Sequence, residues 1–132
     1  FGCTVAHENV VRYAGETPEF MKAMKGYLGN EFKTVLDVKQ ARRAGREVSE
    51  FIEAMGNSIV HVHLSDFNNS CDCIPPCEDG HFDFKKLFTE LNEAGYNGKY
   101  VIELYSRNFS DEKEILKSAK YLEGILNKVR SD

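Results

Sequence analysis

The chain's pattern predicts an α/β fold of four consecutive βα units with parallel strands. Two observations carry this. Short β-rich runs alternate with amphipathic segments of helical period four times over, and such alternation marks parallel strands joined by helical crossovers. Each β-rich run also ends on an acidic or imidazole side chain: Glu8 in TVAHENV, Asp37 in KTVLDVKQA, His63 in IVHVHLSDF and Glu103 in KYVIELYSRN. With 132 residues the chain is the size of one ordinary domain.

Cys3 to Glu8 reads as the first strand. A helix then opens at Thr17-Pro18. Proline suits the first helical position, and Glu19 suits the electropositive first turn. Phe20, Met21, Met24 and Leu28 follow at helical spacing, and Gly29 is a C-terminal stop. Phe32 to Val38 reads as the second strand, and the helix after it carries Val48, Phe51, Ile52 and Met55 and stops at Gly56. Arg42, Arg43 and Arg46 read as a solvated helix face. Ser58 to Leu64 is the third strand. A polar loop with Pro75, Pro76 and Gly80 leads to a helix through Phe84, Leu87, Phe88 and Leu91, closed near Gly95. Tyr100 to Tyr105 is the fourth strand. Ser110 or Asp111 caps the last helix, whose apolar stripe is Ile115, Leu116, Ala119, Leu122, Ile125 and Leu126.

Composition narrows the function classes. The hydrophobic share of 42% and charged share of 29% are those of a globular protein. No apolar run approaches the roughly 20 residues of a membrane helix, so no membrane partner is expected. The net charge of −4 disfavours nonspecific binding to a phosphate backbone, and no nucleic-acid partner is expected. No secretory leader is visible, which implies a cytoplasmic location with Cys3, Cys71, Cys73 and Cys77 reduced. Cys71, Cys73, Cys77 and His81 are also a candidate zinc set, although C-x-C-x3-C-x3-H is not a standard finger spacing.

Strand parity places the chemistry. Side chains alternate between the two faces of a strand. Val62 and Leu64 would face helices, leaving His61, His63 and Ser65 on the other side. Leu36 and Val38 oppose Val35 and Asp37, and Ile102 and Leu104 oppose Val101, Glu103 and Tyr105. Asp37, His63 and Glu103 therefore share the face away from the aliphatic pairs. This predicts a polar centre at the C-terminal ends of the strands, where α/β proteins keep their sites. Carboxylates with one imidazole suit Mn²⁺, Mg²⁺, Co²⁺ or Zn²⁺. Parity turns His7 away from Glu8, and Asp66 reads as a loop anchor.

HENV, LDVKQARRAG, HVHLSDF, the Pro-Pro…Gly-His-Phe-Asp-Phe loop and GYNGKYVIELYSRNF, in that order, resemble the C-terminal half of the xylose isomerase-like TIM barrels. That superfamily includes sugar phosphate isomerases and epimerases, ketose 3-epimerases, inosose dehydratase and the endonuclease IV branch. The resemblance implies the C-terminal half of a (β/α)8 TIM barrel, with one divalent metal on Glu8, Asp37, His63 and Glu103. It also implies that Glu8 and Glu103 move a proton on and off a sugar carbon. His63 matches as the second histidine of H-x-H-x-x-D. Lys39, Gln40, His61 and Arg107 are candidates for contacting a sugar or sugar phosphate, with Arg107 suited to bidentate phosphate recognition.

The chain departs from the pattern in four places, one of them the usual Gly-rich segment, altered to Cys77-Glu78-Asp79-Gly80. Many members carry a histidine where Gln40 stands. The Asp-x-His pair of endonuclease IV relatives is replaced by Cys71-Asp72-Cys73. A whole barrel takes about 250 residues, and only four of its units are present. The expected function is metal-dependent isomerisation or epimerisation by a longer parent protein. A non-catalytic half-barrel that associates with itself through its open edges is the alternative, and endonuclease IV-like DNA cleavage is a third reading.

Overall fold

Four parallel strands lie side by side in chain order: β1 (His7–Glu8), β2 (Thr34–Asp37), β3 (Ile59–Leu64) and β4 (Lys99–Ile102). This computed structural model describes residues 2–132. The register sets Glu8 beside Val35, Asp37 beside His63, and His63 beside Val101. One hydrogen bond beyond β4, from the Glu103 N–H to the Leu64 carbonyl (2.9 Å), keeps Glu103 on the line of the ladder.

Helices α1 (Pro18–Leu28), α3 (Val48–Met55), α4 (Phe84–Glu93) and α5 (Glu112–Ser131) pack against the aliphatic strand face. Leu36, Val62 and Leu64 from the strands meet Met21, Phe51, Met55, Phe84, Phe88 and Leu91 from the helices in one buried core. The opposite face is only partly covered. Val35, His61 and His63 are half-buried there, and Val101 is 40% exposed. Parity therefore sorted the strands correctly.

Local signals placed most helix ends. The Thr17 hydroxyl accepts from the Phe20 N–H with Pro18 at the first helical position, Gly29 closes α1, and the Asp111 carboxylate caps α5. Gly29, at φ 57, and Gly56, at φ 51, end α1 and α3 in the left-handed region that glycine enters without a side-chain clash.

The structure corrects three expectations. The strand expected over Cys3 to Glu8 is formed only at His7–Glu8. The strand expected to run to Val38 ends at Asp37, because Val38 opens a separate short helix, α2 (Val38–Arg43). The Asp37 Oδ1 accepts from the Gln40 N–H at 3.0 Å and so caps this helix. Finally, the arginine cluster is not a free solvated face. Arg43 donates to the Asp72 carboxylate (2.7 Å) and the Tyr105 hydroxyl (2.8 Å), Arg42 donates to the Asp72 carbonyl and lies over the Phe67 ring, and Arg46 pairs with Glu19 and Glu50. These contacts tie α2 to the loop after β3 and to the segment after β4.

Candidate metal centre

Glu8, Asp37 and His63 come from three strands and Glu103 from the residue just past β4, and each offers one ligand atom within 4.8 Å of the others. The His63 Nδ1 lies 3.2 Å from Glu8 Oε1, 3.6 Å from Glu103 Oε1 and 3.9 Å from Asp37 Oδ2. The strands therefore bring together all four residues singled out from the sequence. Glu8 and Glu103 enter at the ends of the two outer strands, and Asp37 and His63 enter between them.

Asp37 is the most constrained of the four, at 1% exposed. Its two oxygens do different things. Oδ1 caps α2, while Oδ2 is buried and accepts no hydrogen bond. A buried carboxylate oxygen without a donor is costly. A divalent cation among three carboxylates and an imidazole would satisfy it, so the residues fit such an ion. Burial, then the adjacent Glu103, pushes the Asp37 carboxyl up to about 7 against the pull of the Lys39 charge. Burial also raises Glu103, but the adjacent Asp37 carboxyl and then the Lys39 ammonium outweigh it and the net shift is downward. His63 is raised, chiefly by its hydrogen bond with Glu8 and despite its burial.

A residue that sequence reasoning missed holds this arrangement. Asn9 is fully buried; its Oδ1 accepts from the Asp37 N–H at 2.7 Å, and its Nδ2 donates to the Asp37 carbonyl at 3.0 Å. It replaces the ladder that β1 stops making and fixes Asp37 relative to Glu8. An asparagine after a strand-end glutamate carries no distinctive signal, since its partner lies 28 residues away. Asn9→Ala strands two buried backbone groups, and urea unfolding is expected to show a loss of about 2–4 kcal/mol. Gly15 is needed nearby: a β-carbon there would sit 2.6 Å from the His7 imidazole and 2.8 Å from the Glu8 carbonyl, displacing the end of β1.

Of the remaining candidates, Lys39 and His61 touch members of this set. Lys39 is buried, with its ammonium 2.9 Å from Glu103 Oε2 and 3.5 Å from Asp37 Oδ2. The Gln40 side chain accepts from the Val11 N–H at 3.2 Å, which braces the loop after β1. His61 packs edge-on to His63 at 5.2 Å and is not one of the converging four. Arg107 is exposed, with its guanidinium 4.8 Å from the centre of the Tyr105 ring. Lys39 and Arg43 approach the same ring, so Tyr105 gathers three cations beside the centre.

His7 packs on Phe20 and Phe32, and Asp66 accepts from the Phe67, Cys77 and Phe82 N–H groups, so both serve the scaffold. Among the described residues Cys71, Cys73, Cys77 and His81 do not converge as a ligand set. Cys71 instead donates to the Cys73 carbonyl.

Known proteins share the family and the fold of this chain. Residues 1–125 match the family described as xylose isomerase-like TIM barrel. The chain belongs to this family. An uncharacterized protein of Methanocaldococcus jannaschii, MJ1311, is 32% identical over 98% of the chain and 46% of its own length. L-ribulose-5-phosphate 3-epimerase UlaE of Escherichia coli is 28% identical over 77% of the chain and 37% of its own length. The crystal structure of a D-tagatose 3-epimerase-like protein superposes with a TM-score of 0.75 at 25% identity, covering 98% of the chain and 49% of that protein. An L-ribulose 3-epimerase structure shares the fold at a TM-score of 0.75 and 18% identity. The chain thus spans about half the length of these relatives or less, and its four parallel βα units match part of a TIM barrel. Among the described residues no helix is long and apolar enough to cross a membrane.

Proposed function

We propose that the protein to which this chain belongs is a divalent-metal-dependent epimerase or isomerase of a sugar or sugar phosphate, a cytoplasmic enzyme of carbohydrate metabolism. The observation that carries this is the convergence of Glu8, Asp37, His63 and Glu103 around the buried Asp37 Oδ2, which has no hydrogen-bond donor. The sugar epimerases among its relatives supply the substrate class. Mn²⁺, Mg²⁺, Co²⁺ or Zn²⁺ bound here would polarise a sugar carbonyl and its neighbouring hydroxyl.

The chain's own residues supply the proton chemistry. Glu8 and Glu103 sit at the ends of the outer strands, on opposite sides of Asp37 and His63. Two carboxylates so placed can take a proton from one side of a carbon and return it on the other, which is what epimerisation requires. The neighbouring Asp37 and then the Lys39 hydrogen bond favour the ionised form of Glu103, which a base requires. Asp37 and His63 would mainly hold the ion. The exposed Arg107 guanidinium would meet a phosphate, and His61, beside His63, and Gln40 would contact sugar hydroxyls.

Titration with Mn²⁺, followed by calorimetry and thermal unfolding, tests the metal reading, and its pH dependence has a definite sign. The raised Asp37 carboxyl stabilises the metal-free fold most at low pH, and that contribution is lost as pH rises through about 7. The ion needs the ionised form. Mn²⁺ is therefore expected to raise Tm more at about pH 8 than at about pH 6. Absence of binding heat at either pH counts against the metal reading.

Residues 1–132 read as a single half-barrel domain. The half-exposed Val101 on the open sheet face favours a covering partner, supplied by a further half of the parent or by a second copy. For the chain on its own we expect the mass of two copies by light scattering at micromolar concentration. The mass of one copy removes the self-association reading.

A further inference from the structure

Lys39 is the one buried lysine among the described residues, at 4% exposed. Burying an ammonium is costly unless it is paired, so its position needs a cause. Its Nζ lies 2.9 Å from Glu103 Oε2, 3.5 Å from Asp37 Oδ2 and 5.0 Å from the centre of the Tyr105 ring. A cation of the protein's own thus already faces two of the four ligand residues.

The contacts divide each carboxylate between two tasks. Glu103 turns Oε2 to Lys39 and leaves Oε1 at 3.6 Å from His63 Nδ1. Asp37 gives Oδ1 to the α2 cap and leaves Oδ2 between Lys39 and His63. Charge balance agrees: Glu8, Asp37 and Glu103 as carboxylates, the Lys39 ammonium and one divalent ion sum to neutrality, whereas without Lys39 the loaded centre would carry an excess negative charge.

We propose that Lys39 is the internal counter-cation of the centre: it holds the Asp37 and Glu103 carboxylates together before an ion arrives and thereby limits how tightly the ion is bound. Lys39 acts through these carboxylates and is a positioning residue. The neutral loaded centre it produces does not repel an anionic substrate or the negative charge that develops on a sugar oxygen during proton removal. This inference rests on the metal reading above.

Two effects oppose each other when Lys39 is removed. Glu103 loses one oriented hydrogen bond, while the ion gains carboxylates freed of a competing charge. The charge effect is the larger, because unit charges ~4 Å apart at an effective dielectric of ~20 interact more strongly than one hydrogen bond contributes net.

The test compares the full chain with its Lys39→Met and Lys39→Arg variants, using Mn²⁺ calorimetry and thermal unfolding with and without Mn²⁺. Lys39→Met is expected to bind Mn²⁺ roughly tenfold tighter or more, to unfold at lower temperature without it, and to gain more from its addition. Lys39→Arg, which keeps the charge, is expected to bind within about twofold of the parent. A purely structural lysine would lower Tm in Lys39→Met without tightening binding. Equal or weaker binding by Lys39→Met overturns this inference and leaves the metal reading standing. No binding by any of the three proteins overturns both. Should Lys39→Met not fold alone, refolding it in Mn²⁺ decides the matter: recovery of the native circular dichroism supports the inference, and failure to recover it overturns it.

Discussion

Glu103→Gln is expected to slow proton exchange between solvent and the carbon beside the carbonyl of a ketose or ketose phosphate by about 10²- to 10⁴-fold, the usual contribution of a positioned acid or base. Glutamine keeps the shape and the Glu103 N–H bond to the Leu64 carbonyl, so the strand end stays in place. What it removes is the carboxylate that accepts from Lys39, 3.6 Å from His63. Deuterium incorporation measured by NMR on the full-length parent, over a panel of ketoses and their phosphates, gives the readout. Exchange persisting at the parent rate would show that Glu103 carries no essential proton. Since Glu103 is proposed as a ligand as well as a proton carrier, Mn²⁺ affinity should be measured alongside. A loss of exchange larger than the loss of bound metal points to the proton role.

Asp37→Asn is expected to weaken Mn²⁺ binding by at least about 100-fold, beyond what loss of a residue that only hydrogen-bonds to a ligand typically costs. The substitution is chosen because the asparagine oxygen can still accept from the Gln40 N–H and cap α2, so the local fold is kept. Its amide cannot supply the charge that the orphaned Oδ2 brings to the centre. The same variant should be no less stable than the parent in the absence of metal, because it removes a carboxylate whose ionised form burial disfavours. Unchanged Mn²⁺ affinity in a folded Asp37→Asn protein would remove Asp37 from the ligand set.

Much of this was visible in the chain because its signals are local. Thr17-Pro18 and Gly29 delimit α1, and Asp111 caps α5, through contacts spanning a few residues. Alternation along HVHLSD and KTVLD sorted helix-facing from site-facing side chains. Other features were not visible because their partners are distant. The Lys39 ammonium meets a carboxylate 64 residues away, and the polar LDVKQ stretch gives no sign that its lysine is buried. Asn9 looks like an ordinary loop asparagine until β2 lies beside it. The arginines of α2 look solvated until the loop after β3 folds back to present Asp72.

By itself, then, the sequence determined the βα order, the face of each strand and the four side chains that meet, since periodicity and strand-end position are properties of short segments. The tertiary structure decided what those four side chains become when they meet. Parallel register sets Asp37 beside His63, burial leaves one Asp37 oxygen without a donor, and Lys39 folds in against the carboxylates. Charge interactions depend on separation in space and on exclusion of water, and both exist only once distant strands are packed side by side.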